Sequence, residues 1–298
     1  MKGVLYIVAT PIGNTEDITD RAKRILNEAD VVAAEDTRTT KLLFKLLGVQ
    51  NKTVSNHKFN EKRQVEYLLS ELENGKNVAL VSDAGTPCIS DPGGVIVKAA
   101  AERGIDVVGV CGASSVITAL SVCGFCFGSY VFYGFLPKEE KEIKKAVSAA
   151  KKSNAAVSVF FESPKRIKKT MQILADESPE AELCLCNDLT KKFERIYRGK
   201  PKEIFEELQK NPSAEKGEYT LVANLGNITE TADPGNSNQT HEAMLVDHIV
   251  RNSGSVKEAV NALAMKHKGS IAKKDFYAAS LNLRTLFAEK ANGQEAKK

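Results

Sequence analysis

The chain has 298 residues, 42% apolar and 27% charged, a composition that supports a packed core and excludes a disordered, collagen-like or disulfide-dense class. Two or three domains are expected at this length, and a chain of this size buries roughly three quarters of its unfolded surface, so it needs no disulfides. The net charge of +4 lies entirely in the tail, where residues 240–298 carry ten Lys/Arg against six Asp/Glu while the remainder balances at 32 against 32.

The first half alternates short apolar runs with amphipathic helical ones. Residues 4–9 read as a strand, 19–29 as a helix with Ala22, Ile25, Leu26 and Ala29 on one face, and 31–34 as a second strand. A short helix over 41–47 closes at Gly48. Asn60 is placed to cap a longer helix ending at Gly75, with Val65, Leu68, Leu69 and Leu72 inward. A strand follows at 78–81, then Asp91-Pro92 as a helix cap with proline at the first helical position, then a strand at 106–110. This alternation implies a mainly parallel sheet covered on both faces. Residues 134–140 read as a hinge into a second α/β unit, with strands at 157–161, 183–186 and 219–224 and helices starting at Pro164 (after the Ser163 cap) and Pro201. Residues 226–240, rich in Gly, Pro and Asn, read as a linker. Three helices are expected beyond it, at 242–251, 255–267 and 273–283, with Ser255-x-x-Glu258 as a capping box.

The cysteines Cys88, Cys111, Cys123, Cys126, Cys184 and Cys186 sit mostly in apolar runs and are expected as small buried hydrophobes. Cys123-x-x-Cys126 has the spacing of a redox or zinc pair, but no histidine or second close pair with finger spacing follows it, and no metal is expected. Reduced thiols and no signal-peptide pattern before Val4 lead to a cytoplasmic expectation. Residues 107–137 carry no charge, yet five glycines and four serines punctuate them. They read as strand, loop, helix and strand rather than as a membrane span.

In open parallel sheets ligands bind beyond the carboxyl ends of the strands, and four loops there are informative. Thr10-Pro11-Ile12-Gly13-Asn14 lacks the G-x-G-x-x-G pattern, and no P-loop occurs anywhere, which removes the main support for a dinucleotide enzyme or NTPase. Glu35-Asp36-Thr37-Arg38 sets two carboxylates before an arginine, suited to a polar site or equally to a helix N-terminus. The run of small residues from Ser82 to Gly94 lets backbone groups approach a ligand closely, and its Asp83 could hold polar donors or sit near a cation. Cys111-Gly112-Ala113-Ser114-Ser115 offers hydroxyls and helix-terminal amides.

The joint order of the stretches LYIVATPIGNTEDIT, AEDTR, VALVSDAGTPCISDPG, SSVITALSVCG, FYGFLPK, FFESPKRI, LTKKFERIYRG and KGEYTLV resembles the tetrapyrrole-methylase superfamily, and within it the branch acting on small-subunit ribosomal RNA. These stretches cover nearly all of residues 4–224. Cys111 and Ala113 stand where that branch usually has prolines, and Asn187-Asp188 where it has Arg-Glu. The resemblance implies two α/β domains of the tetrapyrrole-methylase (class III methyltransferase) type, 1–134 and 135–227, plus a basic helical C-terminal module, 240–298. It implies S-adenosylmethionine folded between the two domains, with contacts at Pro11, Asp83, Ala84, Gly85, Thr86, Ile89, Ser114 and Ser115, and at Phe161, Glu162, Leu189 and Glu218 beside Gly217. The implied reaction is 2′-O-methylation of a cytidine ribose in 16S rRNA at the decoding centre, by a homodimer. Glu35, Asp36 and Asp83 are candidates to take the hydroxyl proton, or to orient Arg38 or the cofactor instead. Arg38, Lys165, Arg166, Lys191, Lys192, Arg195 and the tail are candidate phosphate contacts, led by Lys165-Arg166 and Lys191-Lys192, which each flank a motif loop; for any single lysine a solvated helix face is the simpler reading. The alternatives are methylation of a tetrapyrrole or a protein side chain on the same fold, and a non-catalytic RNA-binding or ribosome-assembly protein.

Overall fold

The structure is a computed structural model and describes residues 1–57, 60–226, 240–252, 255–267 and 271–295. The chain forms two compact units, Met1–Ile228 and Thr229–Lys298. Most of the expected linker, and Lys58-Phe59, lie outside the described residues.

The first unit begins with β1 (Leu5–Val8), α1 (Asp20–Glu28), β2 (Val31–Ala34), α2 (Thr37–Leu47), β3 (Thr53–Ser55), α3 (Glu61–Glu73), β4 (Val78–Val81), α4 (Gly94–Glu102) and β5 (Val107–Val110). The five strands pair in the order β3-β2-β4-β1-β5, all in parallel. The period-two geometry of strands divides their side chains between two cores. Val32, Ala34, Ala79 and Val81 pack with Ala22, Ile25, Leu26 and Phe44 of α1 and α2. Val31, Ala33, Val78 and Leu80 pack on the other side with Val65, Leu68, Leu69 and Leu72 of α3 and with Ile96 and Ala100 of α4. The expected two-face burial is therefore present, with β3 as a short additional edge.

The uncharged stretch becomes β5, α5 (Ser115–Val122) and β6 (Tyr130–Phe135). Then come α6 (Glu140–Lys151), β7 (Val157–Glu162), α7 (Ile167–Glu177), β8 (Glu182–Asn187), β9 (Arg195–Gly199), α8 (Pro201–Lys210) and β10 (Tyr219–Asn224). This second sheet, β6-β7-β10-β8-β9, is mixed: β6–β7 is parallel, and β10 runs antiparallel to both β7 and β8. One face is covered by α6, α7 and α8 through Ile143, Ile167, Met171, Ile204 and Leu208. The other is covered by α5 through Val116, Ala119 and Leu120, which meet Val157, Val159, Cys184, Cys186 and Val222. A helix that follows the first sheet thus caps the second, which brings the carboxyl ends of β1, β4 and β5 beside the end of β7 and the start of β10.

Cys123, Cys184 and Cys186 are buried as expected, but Cys111 and Cys126 are exposed and Cys88 is half-buried; all six are free thiols. The second unit consists of α9 (His241–Asn252), α10 (Val256–Lys266) and α11 (Lys273–Glu295) around Leu245, Ala259, Leu263 and Phe276. The Ser255–Glu258 capping box forms at the start of α10. No described helix is long and apolar enough to cross a membrane.

Candidate active site

A cleft of about 430 Å³ opens where the two sheets meet, within the roughly 300–1,000 Å³ usual for small-molecule sites. One wall comes from the first sheet: Ile12 after β1, Glu35 after β2, residues 83–86 and 89–91 after β4, and Ser114, Ser115 and Val116 at the start of α5. The opposite wall is Phe135, Phe161, Glu162, Ser163, Pro164, Cys186, Leu189 and residues 218–220.

The loop after β4 is tied down from both sides. Thr10 and Gly85 exchange backbone hydrogen bonds of 2.9 and 3.0 Å, and the Thr86 hydroxyl donates to the Ala113 carbonyl at 3.2 Å. Gly85 sits at φ +79°, with Ile12 Cγ2 3.3 Å from where a Cβ would stand, so a side chain here would be strained and tight. Cys88 and Ser90 also hold left-handed backbone, at φ 70° and 69°, a conformation non-glycine residues rarely keep unless their surroundings enforce it.

Asp91 does not cap α4. The helix starts at Gly94, and the Glu61 carboxylate, reaching across from α3, accepts from Gly93 N at 2.7 Å and Val95 N at 3.3 Å. With that role taken, Asp91 faces the cleft with Glu35 and Asp83. Burial raises all three carboxyls above their ordinary range; Asp91 and Asp83 push Glu35 up further, and Asp83 does the same to Asp91. Opposing pulls are weaker: Asp83 accepts from Asp36 N at 3.0 Å, and the Ser82 hydroxyl near Asp91 works against its rise. Carboxyls raised in this way hold a proton more readily than ordinary ones, and each disfavours a second anion nearby.

The second wall is held by buried charge. Glu162, its side chain fully buried, accepts from Thr170 Oγ1 and Ser163 N at 2.6 Å each and pairs with Arg166 at 2.5 Å. Arg166 also donates to the carbonyls of Leu136 and Pro137 at 3.1 and 2.6 Å, fixing the hinge after β6. Further along, Lys191 bridges Asp188 and Glu218 at 2.8 and 2.7 Å. Asn187, in place of the usual arginine, donates its amide to the Lys216 and Glu218 carbonyls. Thr190 Oγ1 accepts from Asn14 N at 3.1 Å, joining the loop after β1 to the turn after β8.

Residues 4–204 match the family model described as Tetrapyrrole (Corrin/Porphyrin) Methylases. The chain belongs to this family. It is 37% identical over 276 residues to ribosomal RNA small subunit methyltransferase I of Bacillus subtilis, covering 92% of this chain and 93% of that one. The protein of the same name from Streptococcus pyogenes is 42% identical over 220 residues, 74% of this chain and 76% of its own. Among solved structures, cobalt precorrin-4 methyltransferase aligns at TM-score 0.54 and 19% identity over 76% of this chain and 96% of its own; this likeness shows the fold.

Methylases of this family take their methyl group from S-adenosylmethionine, and the cleft residues fit that molecule. Ile12, Val116, Phe161 and Leu189 offer an apolar slot, Ser114, Ser115 and the loop amides offer polar partners, and the carboxyls suit a cationic centre. The methylase resemblance put every expected cofactor residue on the cleft wall except Pro11, whose neighbour Ile12 lines it instead. Of the expected proton acceptors, Glu35 and Asp83 line the cleft. Asp36 does not: it caps α2, accepting from Arg38 N at 2.8 Å and pairing with the Arg38 guanidinium at 2.7 Å. Its carboxyl is accordingly lowered to about 2 by Arg38. Among the expected RNA contacts, Arg166 and Lys191 are occupied by ion pairs inside the methylase fold, whereas Lys165, Lys192 and Arg195 are exposed. Asp91, Phe135, Cys186, Tyr219 and Thr220 line the cleft without having been expected there. The clue to Asp91 was its place in the same small-residue loop as Asp83, masked by the proline that follows it.

Proposed function

We propose that this methylase transfers a methyl group from S-adenosylmethionine to the 2′-oxygen of a cytidine ribose in 16S rRNA, acting on the small ribosomal subunit at its decoding centre. Near full-length similarity to a small-subunit rRNA methyltransferase carries the reading. The uroporphyrin-III-C-methyltransferase and cobalt precorrin-4 methyltransferase structures share the fold at only 20% and 19% identity, which lends no support to a tetrapyrrole substrate. The unusual Cys111-Gly112-Ala113 loop does not favour an inactive protein, because Thr86 still bonds Ala113 and Ser114 still caps α5 through Ile117 N.

S-adenosylmethionine supplies an already activated methyl group. The chain's own residues then have two tasks: to hold the ribose oxygen in line and to receive its proton. The walls around Gly85 and Leu189 position the reactants and exclude water; Glu35, Asp83 and Asp91 provide the proton acceptor. The protein acts in the cytoplasm, as a homodimer. Mapping ribose methylation in 16S rRNA from cells with and without the gene tests the reading. Loss of one methylated cytidine, restored by the gene, is expected; an unchanged map contradicts it.

RNA grip depends on Lys165, Lys192 and Arg195. A double Lys165→Ala, Lys192→Ala variant is expected to weaken RNA binding and to flatten its salt dependence by roughly one phosphate contact per lysine, leaving affinity for S-adenosylmethionine unchanged. Salt titration of RNA binding and calorimetry of cofactor binding check this. Arg166→Ala is expected to behave differently, loosening the hinge and lowering stability before it affects RNA.

A further inference from the structure

Phe193 is 73% exposed, the most exposed aromatic side chain among the described residues. A single exposed apolar residue is ordinary; the way this one is mounted is not. It sits on the turn between β8 and β9, where Asp188 and Thr190 both hold left-handed backbone at φ 52° and 65°. Such residues are strained and persist where surrounding contacts over-determine them. Those contacts are present. Leu189 is buried, Lys191 N donates to Asp188 O at 3.0 Å, Glu194 N to Lys191 O at 3.1 Å, and Thr190 N to the Glu194 carboxylate at 2.5 Å. The Lys191 bridge to Asp188 and Glu218 and the Thr190–Asn14 hydrogen bond fasten the turn to the cleft. The ring is therefore held outward by a rigid base at the side of the cleft, not left on a loose loop.

Its surroundings have the chemistry of a nucleic-acid contact. Lys192 Nζ stands 5.5 Å from the ring centroid, a cation–π distance, and Lys192 and Arg195, one residue before Phe193 and two after it in the chain, are both exposed. Cations beside an aromatic face match an unpaired nucleotide: the base stacks on the ring and its phosphates meet the positive charge.

We propose that Phe193 is a stacking platform for an unpaired base of the RNA substrate, beside the nucleotide that enters the cleft. This rests on the rRNA reading above. The test compares full-length wild type with Phe193→Leu, which keeps an apolar side chain but removes the π face, and with Phe193→Trp, which keeps an aromatic one. Binding is measured to a short unpaired RNA and to small ribosomal subunits from cells lacking the gene, alongside cofactor calorimetry and solution mass. Phe193→Leu is expected to weaken RNA binding roughly tenfold and to raise KM for the subunit with little change in kcat, while Phe193→Trp stays within about threefold of wild type. Cofactor affinity and mass are expected to be unchanged. Equal RNA binding by Phe193→Leu and wild type overturns the proposal. So does a fall in mass with RNA binding intact, which assigns the ring to a second copy of the chain. Wild type that binds no RNA at all overturns the rRNA reading itself, a result distinct from either.

Discussion

Glu162→Ala is expected to destabilise the protein by about 3–5 kcal/mol, because it breaks a buried ion pair by removing one partner. The carboxylate accepts two hydrogen bonds, from Thr170 and Ser163, and pairs with Arg166, with no exposure to solvent. Without it, the Arg166 guanidinium, only 25% exposed, keeps the Leu136 and Pro137 carbonyls but loses its countercharge. Thr170, fully buried, loses its acceptor. Glu162→Gln retains the shape and part of the bonding and is expected to cost less, about 1–3 kcal/mol. Urea unfolding of the three proteins at matched m-value checks the order. A loss below about 1 kcal/mol for the alanine variant would mean that the pair is as weak as a surface one. Because Arg166 also fixes the hinge, cofactor affinity is expected to fall in the alanine variant even where it remains folded.

The second large effect concerns turnover. Converting Glu35, Asp83 and Asp91 to their amides one at a time is expected to lower kcat by about 10²–10⁴-fold in the variant that loses the proton acceptor. The other two are expected to lose far less. Single-turnover methylation at saturating cofactor and RNA separates these cases, and three near-normal rates would remove the cluster from the chemistry. The pH dependence follows from the direction of the shifts. Burial and mutual repulsion raise all three carboxyls in the folded protein, so the acceptor is protonated, and inactive, at pH values where an ordinary carboxylate is still ionised. The acidic limb of kcat therefore lies above the ordinary carboxylate range. The same groups bind more protons folded than unfolded in that window. Stability consequently decreases as pH rises from the unfolded-chain values through the folded ones.

Much of this architecture was legible in the sequence because burial on both faces leaves a direct mark. The runs VVAA and VALV could only be central strands of a covered sheet, and the stripe Val65, Leu68, Leu69, Leu72 only an inward helix face. The loops after β1, β4 and β5 were legible because chain order alone places them at carboxyl ends. What stayed hidden depends on contacts distant in sequence. β9 carries arginines at both ends of its RIYR run and buries only Tyr197, so it lacks a strand's apolar signature. The antiparallel insertion of β10 between β7 and β8 is a matter of pairing, which local pattern does not encode. The start of α4 moved from Asp91 to Gly94 because a glutamate 32 residues upstream caps it. Arg166 and Lys191 resembled free cations beside motif loops, and only the fold reveals their carboxylate partners.

The central claim is that the methyl donor lies between the two sheets, against the loop after β4 on one side and β7 and β10 on the other. A crystal structure of the full chain with S-adenosylhomocysteine tests it most directly. The account predicts density for the product spanning Gly85, Ser114 and Leu189, with its sulfur facing the Glu35–Asp83–Asp91 side. Product bound at any other place on the protein, with these residues untouched, would contradict it.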